Sequence, residues 1–140
     1  MMAVWDVGPP TSVTNPSVRD ELVLTIDVAP TFAALAGTTA PGADGSSLLP
    51  LLTPGPAPWR TDFLIEHLIT QVPTYCAVRT EDHLYVQYAT GEEELYVVAN
   101  DPYQLENRAS DPTLLSLRNT FRSRTIALCS PPPPGFTPFG

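Results

Sequence analysis

The sequence contains no lysine. Its 7 basic groups are all arginines, set against 15 acidic ones, for a net charge of -8. Nucleic acid and anionic membrane surfaces are bound through clustered cations, so this chain is a poor partner for either. Histidine is scarce as well: His67 and His83 are the only two, and neither has a second His or a Cys at metal-ligand spacing. No run approaches the ~20 apolar residues of a membrane span. Met1 to Gly8 lacks both the basic and the apolar region of an export leader. The expectation is therefore a soluble chain without an export signal, which leaves its compartment open. No G-x-S-x-G occurs, so neither Ser46 nor Ser47 has the strained elbow that holds a serine-hydrolase nucleophile. Cys76 and Cys129 are the only thiols and permit one disulfide or none.

What is abundant is proline. There are 17 in 140 residues, far above the usual ~5%, so elements must be short and loops frequent. The length amounts to one domain, or a piece of a larger one.

The clearest local signal is Thr25 to Gly37. Val28, Phe32, Leu35 and Ala36 recur at helical spacing and predict one apolar face. Gly37 suits a left-handed stop, and Pro30 requires the helix to begin just before it. Thr25 or Asp27 is then the N-cap. Asp27 at a helix start also suggests a catalytic carboxylate, but capping is its simpler role.

Ala3 to Val7 reads as a strand ended by Gly8-Pro9-Pro10, Thr11 to Ser17 as a loop, and Glu21 to Leu24 as a short strand. Ser46 can cap a single turn that Pro50 keeps short. Thr53 to Trp59, with three prolines and a glycine, marks a composition break. Phe63 to His67, Tyr75 to Thr80, His83 to Tyr88 and Glu94 to Val98 have strand length and strand composition, predicting an antiparallel meander. Glu92-Glu93-Glu94 reads as a solvated turn. Asp111 caps a helix opened by Pro112, whose Leu114, Leu117, Phe121 and Leu128 face the meander and cover it. Pro131 to Pro134 reads as polyproline II, with an extended or disordered tail.

Four segments in order resemble the C-terminal third of sulfatases, in particular arylsulfatases and N-acetylglucosamine-6-sulfatase-like enzymes. They are Gly8-Pro9; Leu22 to Gly37, with Asp27-Val28-Ala29-Pro30-Thr31 and Leu35-Ala36-Gly37; Asp44-Gly45-Ser46-Ser47-Leu48-Leu49-Pro50-Leu51-Leu52; and Glu94-Leu95-Tyr96 through Asn100-Asp101-Pro102 to Glu106-Asn107. Val97 departs from the pattern, which has Asp there. The resemblance implies an alkaline-phosphatase-like α/β fold. Residues 1–59 would end the large domain, 60–130 would form a small antiparallel sheet with its helix, and 131–140 a Pro-rich tail.

The resemblance also implies hydrolysis of sulfate esters by a formylglycine made within Cys/Ser-x-Pro-x-Arg, with calcium held by Asp and Asn oxygens. Cys76-Ala77-Val78-Arg79 lacks the proline, and Cys129-Ser130-Pro131-Pro132-Pro133 lacks the arginine. Both cysteines read as structural. No catalytic residue, metal ligand or Asp-Asp pair is carried over to this chain.

Glu66 and His67, at the end of a strand before a loop, are the candidate substrate-binding residues. The expectation is a C-terminal portion of a sulfuric ester hydrolase, inactive alone, with a sulfate ester as the intact enzyme's substrate. The alternative is a non-catalytic binding or scaffold remnant of the same fold. That alternative predicts a monodisperse, cooperatively unfolding chain; the expectation is instead that the strand near Val4 loses its sheet neighbours and leaves an edge open to association.

Overall fold

The computed structural model describes residues 19–52, 56–68 and 71–139. The strand expected at Ala3 to Val7, its edge and the Thr11 to Ser17 loop lie outside these residues. The chain divides after Trp59 into two compact units.

In the first unit a 3-10 turn, Thr25–Asp27, runs directly into α1, Val28–Leu35. Gly37 ends it at φ 71°, as the left-handed stop requires, with the Thr38 amide donating to the Ala33 carbonyl at 2.9 Å. Glu21 to Leu24 is not a strand, because no strand runs beside it among the described residues to complete a ladder. A single turn, α2, spans Leu49–Leu52 and buries Leu51. The Leu49 amide is capped at 3.3 Å by the Ser47 hydroxyl rather than by Ser46.

The expected apolar face of α1 is turned outward. Val28, Phe32 and Leu35 are 41%, 67% and 51% exposed, whereas Asp27 and Thr31 are buried. Polar bonds decide the orientation: Thr31 Oγ1 donates to the Asp27 carbonyl at 2.6 Å and accepts the Leu48 amide at 2.8 Å.

The second unit is the meander. β1 (Asp62–His67), β2 (Tyr75–Thr80), β3 (His83–Tyr88) and β4 (Glu93–Val97) pair antiparallel in chain order. The register sets Val78 opposite Tyr85 and Tyr85 opposite Leu95, so these three share one face. That face is covered by α3, Leu115–Leu128, entered through a 3-10 turn at Pro112–Leu114. Asp111 caps the turn as expected, accepting the Thr113 amide at 2.8 Å. Phe121 and Ala109 join Val78, Tyr85 and Leu95 in the core, with Leu114, Leu117 and Leu128 packed around them.

The outer edge of β4 is occupied. Leu95 donates to Asn107 Oδ1 at 3.1 Å and accepts the Arg108 amide at 2.7 Å, while Asn107 Nδ2 reaches the Glu93 carbonyl at 3.0 Å. Val97, where the sulfatase pattern has Asp, ends the strand with its carbonyl, accepting the amides of Asn100 and Asp101 at 3.0 and 2.9 Å. The turn is thus closed by backbone alone.

Among its described residues, 131–139, the Pro-rich tail carries no helix or strand, but these residues are not disordered. Phe136 is buried, and Phe139 is held by backbone bonds to the Gln87 side chain.

Candidate functional site

Among the described residues three clusters carry the chemistry, and none of them combines a nucleophile with a base. The first explains the sulfatase-like motifs. Asp27 is fully buried; its Oδ2 accepts the Leu24 amide and its Oδ1 the Ser46 amide, both at 2.8 Å. The carboxylate reaches back to the start of the 3-10 turn and across to the loop before α2, instead of capping α1 from outside as expected. The turn begins three residues earlier than the α-helix, which places Asp27 at its third position, where an acid bonds the N-cap amide. A Cβ on Gly45 would lie 2.1 Å from the Ile26 carbonyl oxygen, so only glycine permits this approach. Asp27-x-Ala-Pro-Thr31 and Asp44-Gly45-x-Ser47-Leu48 are therefore two halves of one joint.

The second cluster bridges sheet and helix. Glu93 accepts a two-pronged ion pair from Arg122, with Nε to Oε1 at 2.6 Å and Nη2 to Oε2 at 2.5 Å, and the Tyr85 hydroxyl donates to the same carboxylate. Arg122 holds the Glu93 carboxyl below its ordinary range against the opposing effect of burial. Burial first, then Glu93, raises the Tyr85 hydroxyl, and Glu93 raises the Arg122 guanidinium. Of the acidic run only Glu92 is an exposed turn residue; Glu93 and Glu94 belong to β4. Glu93 lies in register with Leu95 and Val97 on the helix-covered face, and that alternation was the signal available in the sequence.

The third cluster lies at the end of β1. Glu66 and His67 end that strand as expected, but successive residues alternate, so they stand on opposite faces of the sheet. His67 stacks on Tyr75 with centroids 5.2 Å apart, and Tyr75 meets Tyr88 edge-on at 5.4 Å. The three are cross-strand neighbours, a row that strand assignment without register does not reveal. Burial, with Glu94 nearby, pushes the Tyr88 hydroxyl up to about 12.

Glu66 stands on the other face, beside a disulfide that joins Cys76 of β2 to Cys129 at the end of α3. The sequence left that pairing open. A Glu66 carboxylate oxygen and both sulfurs lie within 4.8 Å of one another. This is no calcium site: the sulfurs are bonded to each other, and one carboxylate falls far short of the 6–8 oxygens that calcium takes. Among the described residues no helix is long and apolar enough to cross a membrane.

An antiparallel meander backed by a C-terminal helix, following a helical segment locked by paired acidic and glycine motifs, defines a sulfatase C-terminal domain of alkaline-phosphatase-like α/β fold. The chain belongs to the family N-sulphoglucosamine sulphohydrolase, C-terminal, which matches residues 5–130. A multifunctional alkaline phosphatase superfamily protein from Trinickia caryophylli is 29% identical over 119 residues, 73% of this chain and 23% of its own. Among solved structures, BT4656 in complex with its substrate D-glucosamine-2-N,6-O-disulfate superposes at a TM-score of 0.67 with 23% identity, over 78% of this chain and 25% of that one. The phosphonate monoester hydrolase of Agrobacterium radiobacter gives 0.63 and 25%, over 75% and 24%. The chain thus spans about a quarter of the length of these relatives.

Proposed function

We infer that this chain is the C-terminal portion of a sulfuric ester hydrolase and supplies framework and a substrate-facing strand end rather than the reacting groups. One observation carries the reading: both cysteines are consumed in one disulfide, in a sequence with no Cys/Ser-x-Pro-x-Arg. Neither cysteine is then available to become the formylglycine, and the nucleophile must come from elsewhere in the enzyme. Calcium, which would neutralise the sulfate, would likewise be held by residues outside this chain.

Residues 1–59 are assigned to the end of the large domain, 60–130 to the small sheet-and-helix subdomain and 131–140 to its tail. Glu66 and His67 are assigned to the substrate side. Because they face opposite ways, a ligand at the end of β1 on the face opposite α3 would meet His67 and its Tyr75 and Tyr88 neighbours, and Glu66 only around the strand end.

The test is twofold. The isolated chain should not hydrolyse a chromogenic aryl sulfate, and an in-frame Cys/Ser-x-Pro-x-Arg should stand upstream of Met1 in the coding region. Turnover by the chain alone, or no such motif upstream, would overturn the reading. The alternative of a free-standing scaffold requires a monomer that melts in one sharp transition. The outward Val28, Phe32 and Leu35 face of α1 argues against it, since exposed apolar surface favours association.

A further inference from the structure

The Cys76–Cys129 disulfide is sealed by the tail that follows it. Both cysteines are buried, and Phe136 packs on them together with Leu64. Seven residues beyond Cys129 the chain is therefore folded back over its own cross-link. The tail is held there by the side chain of Gln87, the β3 residue directly opposite Cys76. Gln87 Oε1 accepts the Phe139 amide at 3.0 Å and Nε2 donates to the Phe139 carbonyl at 2.5 Å, a pairing that imitates a strand partner. The Arg122 guanidinium stands 5.9 Å from the Phe139 ring centroid and adds a cation–π contact. Among the described residues the one carboxylate at the sulfurs is that of Glu66, on an exposed side chain with an oxygen within 4.8 Å of both.

We propose that residues 136–139 are a strap that gates access of thiol reductants to this disulfide, and that Glu66 screens it against anionic ones. Reduction needs a thiolate to reach one sulfur. The attacking thiolate forms a mixed disulfide, and the displaced cysteine leaves as a thiolate and takes a proton. A second reductant thiol then attacks the mixed disulfide and releases the other cysteine, so the protein gains two electrons and two protons and the reductant becomes a disulfide. With Phe136 seated, the sulfurs are covered. With the strap released, the remaining barrier is the negative field of Glu66, which opposes the incoming anion.

The test measures reduction of the full 140-residue chain by dithiothreitol, glutathione and cysteamine, trapping free thiols by alkylation and counting them by mass. Phe136→Ala and Gln87→Leu should each accelerate reduction by all three reagents about tenfold, the scale expected when a local opening replaces a larger one. Glu66→Gln should accelerate glutathione by roughly fivefold at low salt, dithiothreitol less and cysteamine least, following the charge of each thiolate, and the gain should shrink as salt is added.

Reduction through the strap should be nearly independent of urea below the unfolding transition, whereas reduction through global unfolding rises steeply with it. Wild-type and variant rates that all climb with urea in step with global unfolding would overturn the strap. So would a folded Phe136→Ala protein reduced no faster than wild type. Equal acceleration of the three reagents by Glu66→Gln, or none, would overturn the screen.

Discussion

The Asp27 carboxylate and the Ser46 amide, 19 residues apart in the chain, are joined by a 2.8 Å hydrogen bond that ties the start of α1 to the loop before α2. A second bond from the same carboxylate holds the Leu24 amide. Asp27→Ala strands both donors and should destabilise the chain by about 2–4 kcal/mol, more than an ordinary cap, because each unsatisfied buried donor costs about 1–3 kcal/mol. Asp27→Asn should recover less than half of this, since its amide hydrogens meet one donor head-on. Urea unfolding gives the magnitude, and faster exchange of the Leu24 and Ser46 amides identifies the place.

Gly45→Ala tests the same joint from the other side. Its Cβ would lie 2.1 Å from the Ile26 carbonyl oxygen, and the obstacle is backbone rather than a mobile side chain. The expected loss is about 3 kcal/mol, at the upper end of the range for overpacking. A urea midpoint within error of wild type would mean that the loop moves freely away from α1.

Glu93 makes the second unit acid-sensitive. Its carboxyl titrates lower in the folded chain than its ordinary value because Arg122 bonds the charged form. A lowered folded pKa means that the pair's contribution is complete above the unfolded value of about 4.3. It is lost as pH falls through the lower folded value. Urea midpoints should therefore decline below about pH 4.5 in the wild type. Glu93→Gln should cost about 2–3 kcal/mol at pH 7 by leaving Arg122 without its counter-charge, and should flatten the acid decline.

The disulfide spans 53 residues of sequence. Removing it as Cys76→Ala with Cys129→Ala frees that loop in the unfolded chain, and the loop-entropy relation gives about 4 kcal/mol of lost stability. The loss should be the same at about pH 3.5 and pH 7, whereas that of Glu93→Gln shrinks as pH falls below about 4.5. Thermal or urea unfolding of the oxidised, reduced and double-alanine forms checks it.

How much was legible in the sequence follows the range of the interactions. The meander was legible because period-two alternation and its turns, such as Glu81-Asp82 between β2 and β3, are local signals. Asp111-Pro112 marked the last helix for the same reason, and its apolar face packs where its spacing pointed. The face of α1 was misread because period tells which residues share a side, not what the side meets, and here Asp27 and Thr31 set the rotation. The docked tail was invisible: Phe136 and Phe139 are placed by Gln87 and by cysteines far back in the chain, while the local composition signals only extended chain. Glu66 and His67 were correctly set at a strand end, but the disulfide on one side and the aromatic row on the other depend on register.

The segment around Asn107 has one more consequence. By occupying the Leu95 side of β4, it leaves β1 as the edge of the meander with no strand beside it among the described residues. A sheet with a single available edge can accept one added strand and then offers none. Pairing of two copies through β1 would therefore be isologous and self-terminating, a closed twofold rather than the start of a filament.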